Sequence, residues 1–287
     1  MRFGIVLPVV FRYPGTFSPW ERDGGIAELR RIAEAADRFG FTHLTCSDHV
    51  GVPEPVAEVR GGTYWDPLAT LGYLAACTER IRLATNVLVL GYHHPLEIAK
   101  RYGTLDVVSG GRLILGLGVG TLEEEFALLG APFADRGARA DDAIAALRAS
   151  LGVRVPSYHG QFYDFEGFVI DPHAVQYRVP LWIGGKTKRS LRRAVTLADG
   201  WVPTALSIPQ MGEMLGSFDL PPGFDVVLGP RKPLDPIGDP AGAVAMVEQL
   251  EGIGTTIVHS TFVHQSAEHY IEQLEALAKL FELPATA

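Results

Sequence analysis

Gly111-Arg-Leu-Ile-Leu-Gly-Leu-Gly-Val-Gly-Thr-Leu-Glu-Glu-Glu-Phe126 is the stretch on which the reading of this chain turns. Residues 113–117 form a short apolar run with branched members, the composition of a strand buried on both faces. Gly116, Gly118 and Gly120 then strip side chains from the end of that strand. Such a triplet either tapers the strand into a crowded barrel corner or lets a flat ligand approach the backbone. The spacing is G-x-G-x-G in mid-chain, so the dinucleotide-binding fingerprint, G-x-G-x-x-G after a first strand, is a poor match.

On either side of this strand the chain alternates. Strand-like runs are expected at residues 3–7, 43–47, 81–90, 113–117, 180–183, 200–203, 226–228 and 255–260. Between them lie helical patterns, such as Ile26, Leu29, Ala33, Ala36 and Phe39, closed by Gly40. Asp66-Pro67 and Asp239-Pro240 each read as an N-cap followed by proline at the first helical position. Residues 51–65 read as a loop, and 153–179 as an irregular insertion with room for a small hairpin outside the main sheet. Strands that alternate with helices pair in parallel, because each needs a crossover. Eight such units in roughly 250–290 residues predict a (β/α)8 TIM barrel, a single domain over 1–287 with insertions after strands 2 and 4.

Bulk properties narrow the function classes. The chain has 287 residues, 47% of them hydrophobic, enough for a large core. A net charge of -8 argues against an electrostatic nucleic-acid partner. Two cysteines, Cys46 and Cys77, with no C-x-x-C spacing, predict a reduced, cytoplasmic setting. The first eight residues are too short an apolar run for a signal peptide, and no stretch reaches the roughly 18 apolar residues of a membrane span. Neither H-E-x-x-H, G-x-S-x-G nor a P-loop occurs, so no metal site is expected and hydrolase or triphosphatase readings weaken.

In a parallel barrel, ligand groups gather at the C-terminal strand ends. The sequence places Asp48-His49 after strand two, Thr85-Asn86 on strand three, Gly118, Gly120 and Thr121 after strand four, Gly184-Gly185 after strand five and His259-Ser260 at the end of strand eight. His49 is the acid/base candidate, since imidazole changes protonation near neutral pH; the alternative is a histidine that only hydrogen-bonds Asp48 or a ligand. His93-His94 reads as shaping a helix start, and His264 as loop. Gly184-Gly185 ahead of a helix suits a phosphate, with Lys186, Lys188, Arg189, Arg192 and Arg193 adding positive charge or merely forming a solvated face. Together these residues suggest a flat, phosphorylated cofactor across the barrel mouth.

A set of motifs in fixed order resembles the bacterial-luciferase-like monooxygenases and their flavin- or deazaflavin-dependent oxidoreductase relatives. It comprises Ala33-Glu-Ala-Ala-Asp-Arg-Phe-Gly40, Ser47-Asp-His49, Leu83-Ala-Thr-Asn-Val87, His94-Pro95, Leu105-Asp106, Ser109-Gly-Gly-Arg112, the glycine strand with Glu123-Glu-Glu-Phe126, Leu181-Trp-Ile-Gly-Gly185 and Ala198-Asp-Gly-Trp201. The resemblance implies the barrel and hydride chemistry at a flavin-type ring. Arg136-Gly-Ala-Arg139 and Gly160-Gln-Phe-Tyr163 are similar to the branch that uses coenzyme F420. It further implies a cis peptide at Asn86–Val87, a homodimer through the helices after strands two and three, and a small-molecule substrate. On this reading His49 moves the proton, and Asp48 positions the cofactor or the histidine. Asn86, Val87, Gly118, Gly120 and Thr121 hold the ring, Gly184 and Gly185 hold phosphate, and Trp65 walls the substrate. Thr121 departs from relatives that carry a tryptophan or an acid there. The alternatives are an FMN-dependent monooxygenase with a separate reductase, and a non-catalytic flavin- or deazaflavin-binding barrel.

Overall fold

A computed structural model describes residues 1–14 and 17–284. In chain order the elements are β1 (Arg2–Val6), α1 (Ile26–Arg38), β2 (His43–Cys46), α2 (Glu54–Arg60), α3 (Pro67–Cys77), β3 (Arg82–Thr85), β4 (Leu88–Val89), α4 (Pro95–Val108), β5 (Leu113–Gly118), α5 (Glu123–Leu128) and α6 (Arg136–Ser150). They continue with β6 (Tyr158–His159), β7 (Asp164–Phe165), β8 (Leu181–Gly184), α7 (Lys188–Leu197), β9 (Gly200–Val202), α8 (Ile208–Leu215), β10 (Asp225–Leu228), α9 (Pro240–Gly252), β11 (Ile257–Ser260) and α10 (Ala267–Leu280). All pairings of the main sheet are parallel, and β3 pairs with β5 to close it. With β3 and β4 taken as one interrupted strand, the result is the (β/α)8 barrel that alternation predicted.

Strand burial explains why the sequence reads as apolar runs rather than as alternation. One face of each strand packs under the helices, as Leu115, Leu117, Ile183, Trp201 and Val258 do. The other fills the barrel, where Ala84, Ile114, Trp182, Val202, Val227 and Ile257 form a second cluster with Val87 beside it.

Several of the recurring motifs are fasteners at the N-terminal end of the barrel. The Asp37 carboxylate accepts the backbone N–H groups of Glu79, Arg80 and Ile81, tying α1 to the start of β3. Arg112, 9% exposed, donates to the carbonyls of Ser109, Ile81 and Ala75 and to the Thr78 hydroxyl, so it closes the end of α3. Asp199 accepts from Leu181 N–H and from Arg148 and Arg178. A buried charge is stable only with such a complete set of partners.

Two expectations need correction, and one short helix goes unforeseen. The run at 81–90 is not one strand: it breaks after Thr85 and resumes at Leu88, with a cis peptide between Asn86 and Val87. The 51–65 segment is not all loop, because α2 lies in it; none of α2's residues is buried, so no apolar periodicity marks it in the sequence. The glutamates at 123–125 begin a further short helix, α5. The hairpin within 153–179 is present as β6–β7, pairing Tyr158 with Phe165 and His159 with Asp164. It is fastened by Asp142, which takes the Tyr158 hydroxyl and the Phe162 and Tyr163 N–H groups.

Candidate active site

Glu125 gathers the residues after β2, and sequence reading passed over it as one of three glutamates. The side chain is 1% exposed. One oxygen accepts Val50 N–H at 2.6 Å and Gly51 N–H at 3.1 Å. The other lies 2.9 Å from His49 Nδ1 and accepts the Tyr92 hydroxyl. Burial opposes the negative charge, but the bonds from His49, Tyr92 and Gly51 outweigh it and hold the carboxyl down at about 2. The Tyr92 phenol is pushed up, first by burial and then by the Glu125 carboxylate it donates to. An ionised Glu125 accepts a hydrogen bond from Nδ1–H, which leaves Nε2 as the nitrogen of His49 that can exchange a proton. The Tyr64 ring packs against it at a tilt of 58°, with centroids 4.4 Å apart.

Asp48, expected to position the cofactor or His49, has its carboxylate near a different histidine. Its carboxylate accepts Val89 N–H at 3.1 Å and lies 3.6 Å from His93 Nε2. Burial disfavours a charge on His93, yet Asp48 and Glu97 prevail and its pKa is raised. His93 therefore belongs to the site's second rank of charges as well as to the approach to α4. His264, expected as loop, is buried between Trp20 Nε1, at 2.9 Å, and the Glu21 carboxylate, at 3.5 Å.

The glycines are close-packed against the bulge after β3. A methyl group added at Gly118 would stand 2.4 Å from Val87 Cγ2, and one at Gly184 would stand 2.7 Å from Val87 Cγ1. Neither strand end is left open for a ligand; both are cut back so that Val87 can sit between them. Gly120, with φ +77°, faces Phe126 in the same way. Gly118→Ala is expected to lower stability by about 1–3 kcal/mol, because Val87 must move inside a packed cluster. A thermal melt superimposable on that of the parent would show that the bulge yields freely.

The other expected residues divide. Asn86 presents a side-chain oxygen, Oδ1, that is buried and without a hydrogen-bond partner among the described residues. Thr85 is fully buried, and its hydroxyl donates to the Gly116 carbonyl at 2.7 Å; it is a strand-to-strand fastener, not a ligand group. Thr121 is exposed. Trp65 packs against the core and its backbone N–H donates to the Val10 carbonyl, while its neighbour Tyr64 is the residue against His49. Gly185, with φ +114°, leads into α7, whose Thr187 and Ser190 cap one another. Lys186, Lys188, Arg189 and Arg192 are exposed at or near that end, but Arg193 is buried and bonded to Asp141 and the Gly137 carbonyl.

The residues fit a flavin-type group at two points. The unpartnered Asn86 oxygen needs an N–H donor, which the pyrimidine edge of a flavin or deazaflavin carries. The Gly185 turn and the basic start of α7 suit a phosphate.

Known proteins extend the picture. The chain is 30% identical over 210 residues to the F420-dependent glucose-6-phosphate dehydrogenase of Microbacterium testaceum, covering 72% of this chain and 60% of that protein. It spans less than two thirds of the length of the curated relatives it matches, 63% and 66% in two mycobacterial cases. Among solved structures, monooxygenase RslO1 from Streptomyces bottropensis superposes with a TM-score of 0.77 at 23% identity, over 98% of this chain and 99% of that one. Riboflavin lyase RcaE, solved with a modified FMN and riboflavin, gives 0.79 at 16% identity, over 100% and 92%. The family model for luciferase-like monooxygenases matches residues 1–219, and the chain belongs to that family.

Proposed function

We propose that this protein is an oxidoreductase that uses coenzyme F420 to move a hydride to or from a small organic substrate, with His49 as its proton-transfer group. The observation that carries this reading is the Glu125–His49 pair after β2, on the same strand end that Ser47 ties to the Asn86 carbonyl, with the Asn86 side-chain oxygen unpartnered. The F420-dependent relative supports the choice of cofactor. The bound cofactor would supply the hydride-exchanging carbon. Everything else falls to the chain. Asn86 Oδ1 and the Val87 bulge hold the ring edge, and the start of α7 holds phosphate. Glu125 fixes the His49 ring, so that Nε2 takes the substrate's hydroxyl proton in oxidation or returns it in reduction. Tyr64 and Tyr92 shield that exchange from water.

Titration with F420 and with FMN tests the cofactor. F420 is expected to bind at least tenfold more tightly, and Asn86→Ala to weaken it by about tenfold, the worth of one buried hydrogen bond. Selective FMN binding, with a peroxyflavin formed on reduction and aeration, would replace this reading with the monooxygenase one.

A further inference from the structure

Helix α2 adds no buried residue to the core, yet it is held at both ends. Ahead of it, the Glu125 carboxylate holds the N–H groups of Val50 and Gly51. Behind it, Arg12 N–H donates to the Thr63 carbonyl, and Phe11 bridges Tyr64 with the two rings stacked. Gly61 permits that close run: it takes φ +81°, and a methyl group there would stand 1.8 Å from the Arg12 carbonyl oxygen. A surface helix fixed in this way after β2 walls the mouth, and its last residue, Arg60, has a defined place.

Arg60 is a partly exposed cation without a counter-charge in a chain of net charge -8. Among the described residues no carboxylate oxygen lies within 4.0 Å of it. The sequence explains why: the residues four and three places before it on α2 are Val56 and Ala57, so no acid occupies the neighbouring turn. Glu125 does not need it, since His49, Tyr92, Val50 and Gly51 already supply that carboxylate with donors. A helix C-terminus favours a cation in general, but this guanidinium reaches past the helix and stands beside the Tyr64 hydroxyl. Burial pushes the Tyr64 phenol up and Arg60 pulls it back, and the same charge acts on the Tyr92 phenol. Tyr64 thus meets the imidazole of His49 with its ring and an unpaired positive charge with its hydroxyl.

We propose that Arg60 and the Tyr64 hydroxyl form an anion subsite, and that the substrate is a small hydroxy or oxo compound bearing a carboxylate or phosphate. The inference rests on His49 as the proton-transfer group and specifies the substrate class of that same site. A guanidinium gives paired N–H donors to two oxygens of such a group. A phenol whose oxygen faces the guanidinium keeps its own hydrogen to donate. The anion is then anchored at the hydroxyl end of Tyr64, while the reacting oxygen lies at His49, beside the ring. A neutral alcohol of the same skeleton leaves the guanidinium unmatched and is selected against.

Labelling of the full, cofactor-free chain with phenylglyoxal tests it, because peptide mass spectrometry reads each arginine separately. For a dissociation constant of about 10 mM, about 50 mM inorganic phosphate or acetate is expected to slow labelling of Arg60 about sixfold relative to chloride at matched ionic strength. The exposed Arg154, paired with Asp171, serves as the unprotected control. Tyr64→Phe is expected to weaken the anion about tenfold, which cuts the protection below about twofold, with an unchanged circular dichroism melt. Equal labelling in all three salts, or protection undiminished in Tyr64→Phe, overturns the subsite. Coenzyme F420 added alone should leave Arg60 labelled at the chloride rate; protection by it would assign the anion to the cofactor and overturn the substrate class. Protection by phosphate is read without cofactor, so it stands or falls separately from the F420 and FMN titrations.

Discussion

His49→Ala is expected to slow hydride transfer by about 10²- to 10⁴-fold while F420 affinity stays within a few-fold of the parent, the usual range for one acid/base group. The separation of the two readouts follows from the geometry. His49 is tied to Glu125 and Tyr64, whereas the groups fitted to the cofactor are Asn86, Val87 and the start of α7. Glu125→Gln is the sharper companion. The amide keeps an acceptor for the Val50 and Gly51 N–H groups, so the β2–α2 loop remains in place. It lacks the charge that stabilises a protonated imidazole, and it can donate to Nδ1 and select the wrong tautomer. The loss in rate should therefore fall between those of the parent and His49→Ala, with a shifted pH profile. Stopped-flow absorbance of the deazaflavin band measures the step directly. A rate unchanged in His49→Ala would remove the histidine from the chemistry and leave Glu125 as a loop fastener alone.

The sequence made some of this arrangement legible and hid the rest, for identifiable reasons. Helix starts such as Asp66-Pro67 were readable because the cap is local: the Asp66 side chain accepts Ala69 N–H. Strand four was readable because burial on both faces leaves an unbroken apolar run. His49 could be chosen from its place after a strand. Its partner could not, because Glu125 is 76 residues away and has two identical neighbours in sequence, neither of which turns inward. Gly118 of β5 is a place of close approach, as the sequence suggests, but what approaches is Val87 of the chain itself; Gly184 of β8, read as part of a phosphate cradle, packs against the same side chain. The motifs that carry the family resemblance also divide: Asp37, Asp106, Arg112 and Asp199 hold the N-terminal end together, far from the mouth. Composition cannot separate a charge that builds the barrel from one that serves its site; only the partner atoms do.

Acid should unfold this protein well before its carboxylates are neutralised, because the barrel encloses two histidines that cannot readily charge. His43 and His259 lie with ring centroids 5.4 Å apart, His43 edge-on to Trp182 and His259 Nε2 3.1 Å from the Thr45 hydroxyl. Burial lowers the His259 pKa to about 4 and the His43 pKa well below its ordinary 6.5, and proximity to His259 lowers the latter further. In the unfolded chain both imidazoles take a proton as the pH falls through about 6.5. Between there and the folded-state values the unfolded state binds more protons, so stability is full above 6.5 and falls steadily toward 4. His259 alone accounts for about 3 kcal/mol over that window. His264, also lowered to about 4 by burial, acts in the same direction. His93, raised, acts in the opposite one, since its contribution is present at low pH and lost above its folded pKa. Glu125, lowered from 4.5 to about 2, keeps its full contribution above 4.5 and loses it progressively between there and 2, so it adds to the fall only at the acid end of this window. Urea midpoints measured above pH 6.5 and near pH 4 should differ accordingly, and His259→Gln, which keeps a partner for Thr45 without a titrating ring, should flatten the slope. Equal midpoints in the parent would mean that water or a counter-charge reaches the pair, and the lumen of the barrel would then be wetter than its packing of Trp182, Ile257 and Val227 allows.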